Sequence, residues 1–506
     1  MNTSSAQQLT LFDMNPDNSD WKVEQFSANA FCEESARQSL EDKFIGMTEI
    51  TDKFSRQSVS HQLSKKGRLH RWLKYKEGFS ADLVETLFKE MGIKKGHMLL
   101  DPFLGSGTTS LVAQMHGINS VGFDIMPMTE VAMFAKGNIA RYDISELRNL
   151  ADYITSMKRP PDYKKRAESI TITDSAYPDE TALDIPYYTE QIAISPFSDE
   201  AKGLARLCLL NSLERLSYTS KDGQYLRWDI NSKKVIEANA CRIANGREPF
   251  KVKLDKGDLP SVKQVLVEEI NKAIDDILYF QKRPHNMAND VEMYFKRGSA
   301  LLELPLLQSD GIDGVITSPP YCNRYDYTRI YALELVYLGM GEDEVRQTRQ
   351  DLLSCTVESK TKLDFLRDYY DSIGRSEDFN RVKNAIKANA ALSEVLSALK
   401  IRNDNGDINN KGVLKMVKGY FEELSFIYHE LFRICKKGAR VAFVNDNVRY
   451  SGEVIPVDFI STELACQFGF TPIKIYSLKQ QKGNSSQQMA KFGRVPLRKS
   501  ITIWEK

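Results

Sequence analysis

What the chain lacks narrows it first. Its seven cysteines (Cys32, Cys208, Cys241, Cys322, Cys355, Cys435 and Cys466) are scattered, odd in number and nowhere spaced as Cys-x-x-Cys. That argues against a disulfide scaffold and a thiolate zinc site, and it fits a reducing cytoplasm. No stretch approaches the roughly 18 uninterrupted apolar residues that mark a membrane span. The opening MNTSSAQQLTLFDMNP has neither a basic leader nor a long apolar run, so no secretory signal is expected. Neither sign of charge dominates: 69 Lys and Arg face 68 Asp and Glu, a net +1. The total charge therefore neither points to a nucleic-acid partner nor excludes one; only local clusters can do so.

What is present is an ordinary globular mix, 42% hydrophobic and 27% charged over 506 residues. That length suits two to four domains, or one domain with large insertions, and needs no disulfide support. Residues 1–40 are polar and weakly patterned and read as a flexible N-terminal arm. A basic cluster follows (Lys65, Lys66, Arg68, His70, Arg71, Lys74, Lys76), with Trp72 and Tyr75 inside it. Phe79 to Phe88 repeats apolar residues at helical spacing behind Ser80, a plausible N-cap. His97–Asp101 reads as a buried strand, Thr108–Met115 as a helix ended by Gly117, and Asn119–Asp124 as a second strand. This is a strand–turn–helix–strand unit of the doubly wound type. The rhythm lapses over 141–290. That insertion holds loops at Ile185–Tyr188 and Lys221–Tyr225 and a long helix over Ser261–Phe280. It returns over 291–345, where Gly311–Thr317 is a strand. A charged helical insertion occupies 346–412. Residues 413–506 resume the pattern: helix Tyr420–Cys435, strand Ala439–Val444, helix Pro456–Phe468, then strands Thr471–Leu478 and Ser500–Trp504 around a polar, basic loop.

Three motifs carry chemistry. DPFLGSGTT (101–109) places glycines between a strand end and a helix start, where the backbone can approach a ligand and free N–H groups favour an anion. Ser110 stands where a nicotinamide fingerprint wants its third glycine, and no Lys completes a P-loop. Asp124 ends the next strand, about 20 residues on, where an acid commonly takes the two hydroxyls of a ribose. The third motif is TSPPY (317–321). An exocyclic amino nitrogen is a poor nucleophile because its lone pair is delocalised into the ring. Ser318 Oγ and the Pro319 carbonyl, on a backbone stiffened by Pro319 and Pro320, could accept both its N–H bonds. Tyr321 would stack on a base swung out of a duplex.

Together these motifs resemble the amino-methylating (N4-cytosine and N6-adenine) DNA methyltransferases. The resemblance implies a Rossmann-like α/β core that uses S-adenosylmethionine, with two largely helical insertions. By position it assigns Asp101, Phe103, Gly105, Gly107 and Thr108 to the cofactor turn and Asp124 to the ribose. Gly298-Ser299-Ala300 falls on the adenine-contacting segment, with Ser299 where the family often has Asp. His70–Leu87, with Phe79, resembles the helix that closes over the methionine end. The order, cofactor turn before catalytic motif, resembles the non-permuted arrangement. Ser at position 318 resembles the N4-cytosine enzymes; N6-adenine enzymes more often carry Asp or Asn there. No Pro-Cys dipeptide occurs, which argues against C5 chemistry through a cysteine. No metal is implied.

The expected partner is double-stranded DNA, in a prokaryotic or phage setting, with a cognate restriction endonuclease as a further candidate. Lys65, Lys66 and Arg71 are candidates for phosphate contacts. So is the late basic stretch of Lys479, Lys482, Lys491, Arg494, Arg498 and Lys499. Target recognition is expected in the insertions, chiefly 141–290, since the core is committed to cofactor and catalysis. Gln8-Leu9-Thr10-Leu11-Phe12 resembles a sliding-clamp-binding peptide, which would seat Leu and Phe in an apolar groove. Competing readings are an RNA base methyltransferase, a dinucleotide oxidoreductase and a non-catalytic DNA-binding protein. The oxidoreductase leaves the SPPY turn without a role.

Overall fold

The computed structural model describes residues 35–222, 225–283, 291–479, 492, 495 and 497–506. The strands among them are β1 (Thr48–Thr51), β2 (Met98–Asp101), β3 (Asn119–Asp124), β4 (Thr219–Asp222), β5 (Tyr225–Trp228) and β6 (Met293–Arg297). They continue with β7 (Ile312–Thr317), β8 (Cys435–Asp446), β9 (Val448–Tyr450), β10 (Glu453–Ile455), β11 (Thr471–Leu478) and β12 (Lys499–Glu505). Eight build the central sheet in the order β1-β11-β12-β8-β7-β2-β3-β6. Neighbours run parallel except at β12, which is antiparallel to both β11 and β8. The apolar runs of β2 and β7 suit central parallel strands covered on both faces.

The strand–helix–strand unit stands where the sequence placed it, with the helix at Thr108–Met115. From β2 the chain moves outward through β3 to β6, then returns to the other side of β2 as β7 and continues to β8. The order therefore reverses between β2 and β7. A reversal of this kind leaves a crevice beyond the carboxyl ends of the two strands, where open α/β sheets bind ligands.

Helices cover both faces. Ala81–Met91 buries Leu83, Val84, Leu87, Phe88 and Met91, which share one core with Leu99, Ile316, Ala442 and Ile503 of the sheet. Ser80 precedes this helix, but its hydroxyl makes no capping bond. Gly412–Ile434 and Val457–Phe468 pack on the other face, in a core with Leu100, Val315, Val441, Phe443 and Trp504. The first of these starts earlier than the expected Tyr420, because Val413, Met416 and Val417 are also buried.

The 141–290 segment carries helices Ile144–Ser156, Asp179–Ile194, Asp199–Leu216, Lys233–Ala244 and Val262–Gln281 and the β4–β5 hairpin. Ser261 caps the last helix through a hydrogen bond from Gln264 N. Two expectations are corrected here. Ile185–Tyr188 is not a loop; it lies inside the helix Asp179–Ile194, Pro186 included. Burial of Ile185, Tyr187 and Tyr188 outweighs the helix-breaking proline. Lys221, Asp222 and Tyr225 belong to the paired strands β4 and β5; Gly223 and Gln224 lie outside the described residues. Residues 346–412 hold the end of helix Glu342–Asp351, then Leu363–Ser372, Ser376–Ala388 and Ala390–Asp404.

The arm expected over 1–40 gives way to a helix, Ser35–Ile45, before its assigned end. Arg37 is wholly buried and docks this helix through Glu394 (2.6 Å) and Glu453 (3.2 Å), partners that no local pattern reveals. The same helix carries Glu41, which meets Arg498 at 2.8 Å; Asp458 meets Arg498 from the other side at 2.9 Å. All three are buried. Replacing one member of a buried ionic group leaves the others unpaired. Arg498→Met should therefore destabilise the fold by about 3–5 kcal/mol, read as a lower urea midpoint. An unchanged midpoint would show that the triad carries no net weight.

Candidate active site

At the end of β2 the chain turns through Pro102–Gly107 into the helix Thr108–Met115. Gly105 (φ +56°) and Gly107 (φ +80°) hold left-handed conformations that disfavour a side chain. A Cβ on Gly105 would also come within 2.9 Å of the Tyr75 ring. Asp101 fastens this turn. It accepts hydrogen bonds from Thr109 Oγ1 at 2.6 Å, from Thr317 Oγ1 at 2.7 Å and from Phe103 N at 3.1 Å. The cofactor-type turn is thus tied to the strand that delivers Ser318. Asp124 fastens the other side, accepting from Gly105 N (2.7 Å) and Met126 N (2.8 Å). Burial pushes both carboxyls up to about 6, against the pull of these donors. Beneath the turn the buried Lys136 ammonium donates to the Ser106 carbonyl at 2.6 Å, and burial brings its pKa down to about 7.

A cleft of about 700 Å³, counted to its open mouth, lies at the reversal of strand order. The turn contributes Phe103, Gly105, Ser106 and Thr108; the end of β3 contributes Asp124 and Met126. Ser299 borders it beyond β6, and Ser318 and Pro320 beyond β7. Tyr75, Glu77 and Phe79 close one side, and Tyr327, Leu352 and Leu353 another. Tyr75 stacks on Tyr331 with ring centroids 5.1 Å apart. Burial raises the Glu77 carboxyl above its ordinary value.

Comparison with known proteins gives the family. Residues 9–132 match a family model for N6/N4 methyltransferases described as DNA methylase. The chain is 50% identical over 487 residues to the type II methyltransferase M.BsoBI of Geobacillus stearothermophilus, covering 96% of this chain and 95% of that one. It belongs to the amino-methylating DNA methyltransferase family. A second member, type II methyltransferase M.AvaI of Nostoc sp., is 36% identical over 495 residues, 95% of each chain. Type II methyltransferase M.MjaII of Methanocaldococcus jannaschii is 25% identical over 329 residues, 52% of this chain and 61% of that one.

Within this methyltransferase, Phe79, Phe103, Gly105, Thr108, Asp124, Ser299, Ser318 and Pro320 meet at one cleft. Asp101, Gly107, Pro319 and Tyr321 do not border it. Tyr321 is only 9% exposed. Its hydroxyl receives Ser318 Oγ at 3.0 Å and Lys499 Nζ at 3.3 Å, and the Lys499 ammonium lies 4.7 Å from the ring centre. Asp446 holds that ammonium at 2.9 Å. Tyr75, Glu77, Leu352 and Leu353 were not named as site residues, and Lys499 was expected on a phosphate rather than beside Tyr321. Tyr75 was visible within the basic–aromatic cluster. Leu352 and Leu353 arrive from the second insertion and carry no local signal.

A second cleft, about 1220 Å³, adjoins the first and shares Tyr75, Gly78, Phe79 and Ser106 with it. Lys65, Arg71, Lys74 and Lys256 line it. Not all of these cations are free for phosphates. Arg71 pairs with the buried Asp276 at 2.7 Å, which also holds Arg68 (3.3 Å) and Trp72 Nε1 (3.1 Å). Lys74 pairs with Glu214 at 2.7 Å. Lys65 and Lys66 are exposed. In the late stretch Arg498 and Lys499 are buried in ion pairs, which removes them as phosphate contacts. Lys479 pairs with Asp52 at 2.6 Å. Lys482, Lys491 and Arg494 lie outside the described residues, as does Gln8–Phe12.

The Asp101 bridge is open to test. Thr317→Val keeps the shape but removes one donor, so it should cost about 1–3 kcal/mol in urea unfolding. Thr109→Val should cost a similar amount. Because both act through Asp101, the double variant should lose less than the sum; strict additivity would separate the two contacts.

Proposed function

We propose that this DNA methyltransferase transfers a methyl group to the exocyclic amino nitrogen of a base flipped out of duplex DNA. The target is N4 of cytosine, in the modification half of a restriction–modification pair. The observation that carries the reading is the meeting of the glycine turn with Ser318 and Pro320 at one cleft, braced by Asp101 from behind. The printed names of the relatives, type II methyltransferases, support the restriction–modification setting.

The cleft suits S-adenosylmethionine. A Cβ-free turn at Gly105 gives close approach, and the buried Asp124 carboxylate at the cleft edge suits ribose hydroxyls. Ser299 would face the adenine, and Tyr75 and Phe79 the methionine end. When bound, this cofactor supplies an electrophilic methyl group on a sulfonium. Ser318 Oγ and the Pro319 carbonyl accept the two N–H bonds of the target amine, which draws its lone pair out of the ring. Ser318 must leave its Tyr321 partner to do so, and Tyr321, buried here under the Lys499 ammonium, must come out toward the cleft before its ring can take the base. Alignment of nitrogen and methyl does most of the work, with no covalent enzyme intermediate. As the nitrogen–carbon bond forms, the broken carbon–sulfur bond would leave its electron pair on sulfur, and the nitrogen would pass one of its protons to water at the open mouth of the cleft. Recognition of the DNA sequence falls to the 141–290 insertion.

The deciding experiment treats unmethylated genomic DNA with labelled S-adenosylmethionine and analyses the nucleosides by mass spectrometry. N4-methylcytosine that is lost in Ser318→Ala is the expected result. N6-methyladenine would keep the mechanism and change the base; no labelled DNA base would point to RNA.

A pH dependence follows from Asp124. Its charged form accepts the ribose hydroxyls, and burial places its ionisation at about 6 rather than at the usual 3.8. Cofactor affinity should be full well above that value and fall as pH drops through it. Calorimetric titration across this range should show the decline, and Asp124→Asn should flatten it.

A further inference from the structure

The helix Lys233–Ala244 has no part in the site described so far, and none of its residues is buried. A helix of about a dozen residues is marginal in water, and most protein helices are held by an apolar face packed on a core. This one is held at its root instead. Asp229 and Ser232 are fully buried there. Ser232 caps the helix through Val235 N, and Asp229 Oδ2 accepts from Lys256 N at 2.6 Å. Beyond the helix the chain folds back along it. Phe250 N donates to Asn239 Oδ1 at 2.8 Å, and the Arg242 guanidinium lies 4.2 Å from the Phe250 ring centre. The outcome is a shaped but uncovered shaft, with Ile236 56% and Ile243 61% exposed one above the other at helical spacing.

Charge indicates what covers it. Residues 233–256 hold seven Lys and Arg against three Asp and Glu, in a chain whose net charge is only +1. Arg247, Lys251 and Lys253 are exposed on the returning segment. Leu254 and Lys256, at its foot, line the basic cleft that adjoins the cofactor turn. A bare helix about 10–12 Å across matches a major groove about 12 Å wide, and the segment that folds back along it carries exposed cations.

We propose that Lys233–Ala244 is the DNA-reading helix, set in the major groove, with Arg247, Lys251 and Lys253 on the flanking phosphates. This rests on the DNA-methylating reading above and narrows recognition to one element of the insertion. The apolar tips of Ile236 and Ile243 suit contact with thymine methyl groups.

The full chain tests this with two variants altered only at exposed side chains. The triple variant Arg247→Ala/Lys251→Ala/Lys253→Ala should bind an unmethylated plasmid fragment about tenfold more weakly near physiological salt. Its plot of log affinity against log salt should be shallower, by up to roughly 0.9 per lost contact. Ile236→Ala/Ile243→Ala should redistribute or thin out the methylated positions mapped by sequencing the plasmid. Cofactor binding and thermal unfolding should stay as in the parent chain. If the parent methylates DNA and both variants match it in affinity, salt slope and site pattern, the reading helix is wrong while the enzymatic function stands. If the parent transfers no methyl group to DNA, both fall together. If the variants change only the sedimentation coefficient, the shaft faces a second copy of the chain and the proposal is overturned.

Discussion

The Asp101 carboxylate is the constraint on which the rest of the site depends. It ends β2 and holds Thr109 at the start of the next helix and Thr317 at the end of the neighbouring strand. Two successive elements and a third, a strand 216 positions further on, thereby share one buried acceptor. Because Asp101 does not border the cleft, it acts as a positioning residue that sets how far the glycine turn stands from Ser318. Asp124 works alongside it, receiving the backbone of the same turn from the far side. Both carboxyls are buried against their preference for water, so the hydrogen bonds that hold them are not optional.

Much of this was legible in the chain itself. β2, the helix Thr108–Met115 and β3 fall where apolar runs, glycines and the strand-end acid placed them. Eight of the anticipated residues meet at one cleft because the reversal of strand order puts the ends of β2, β3 and β7 together. The failures share a cause. Arg37, Arg71, Arg498 and Lys499 read as exposed or phosphate-seeking because a lone basic residue usually is. Their partners Glu394, Asp276, Asp458 and Asp446 lie far away in sequence, and only the fold brings them near. Pro186 misled in the opposite direction, since tertiary burial of its neighbours outweighs its own effect on the helix. Leu352 and Leu353 reach the cleft from an insertion that shows no local sign of doing so.

These ion pairs also explain how a chain of net charge +1 can suit a polyanion. Many of its cations are spent internally, stitching the insertions to the core through Asp276, Glu214 and Glu453. Among the described residues, the exposed cations with no ion pair include Lys65 and Lys66, near the glycine turn, and Arg247, Lys251 and Lys253 on the 233–256 segment. An overall balance of charge therefore coexists with strong local fields, which are what a phosphate backbone senses within a Debye length.

The place of β12 has a consequence for how the molecule is made. Its seven residues sit between β8 and β11 and carry the fully buried Trp504. Until 499–505 have been synthesised and docked, β8 and β11 each present an open edge, and the core around Trp504 is unfilled. Unpaired edges of this kind recruit other strands. A chain without this strand would leave both edges and the unfilled core open to aggregation. Because Lys499 opens this same strand beside Tyr321, the surroundings of Tyr321 are completed only when β12 docks.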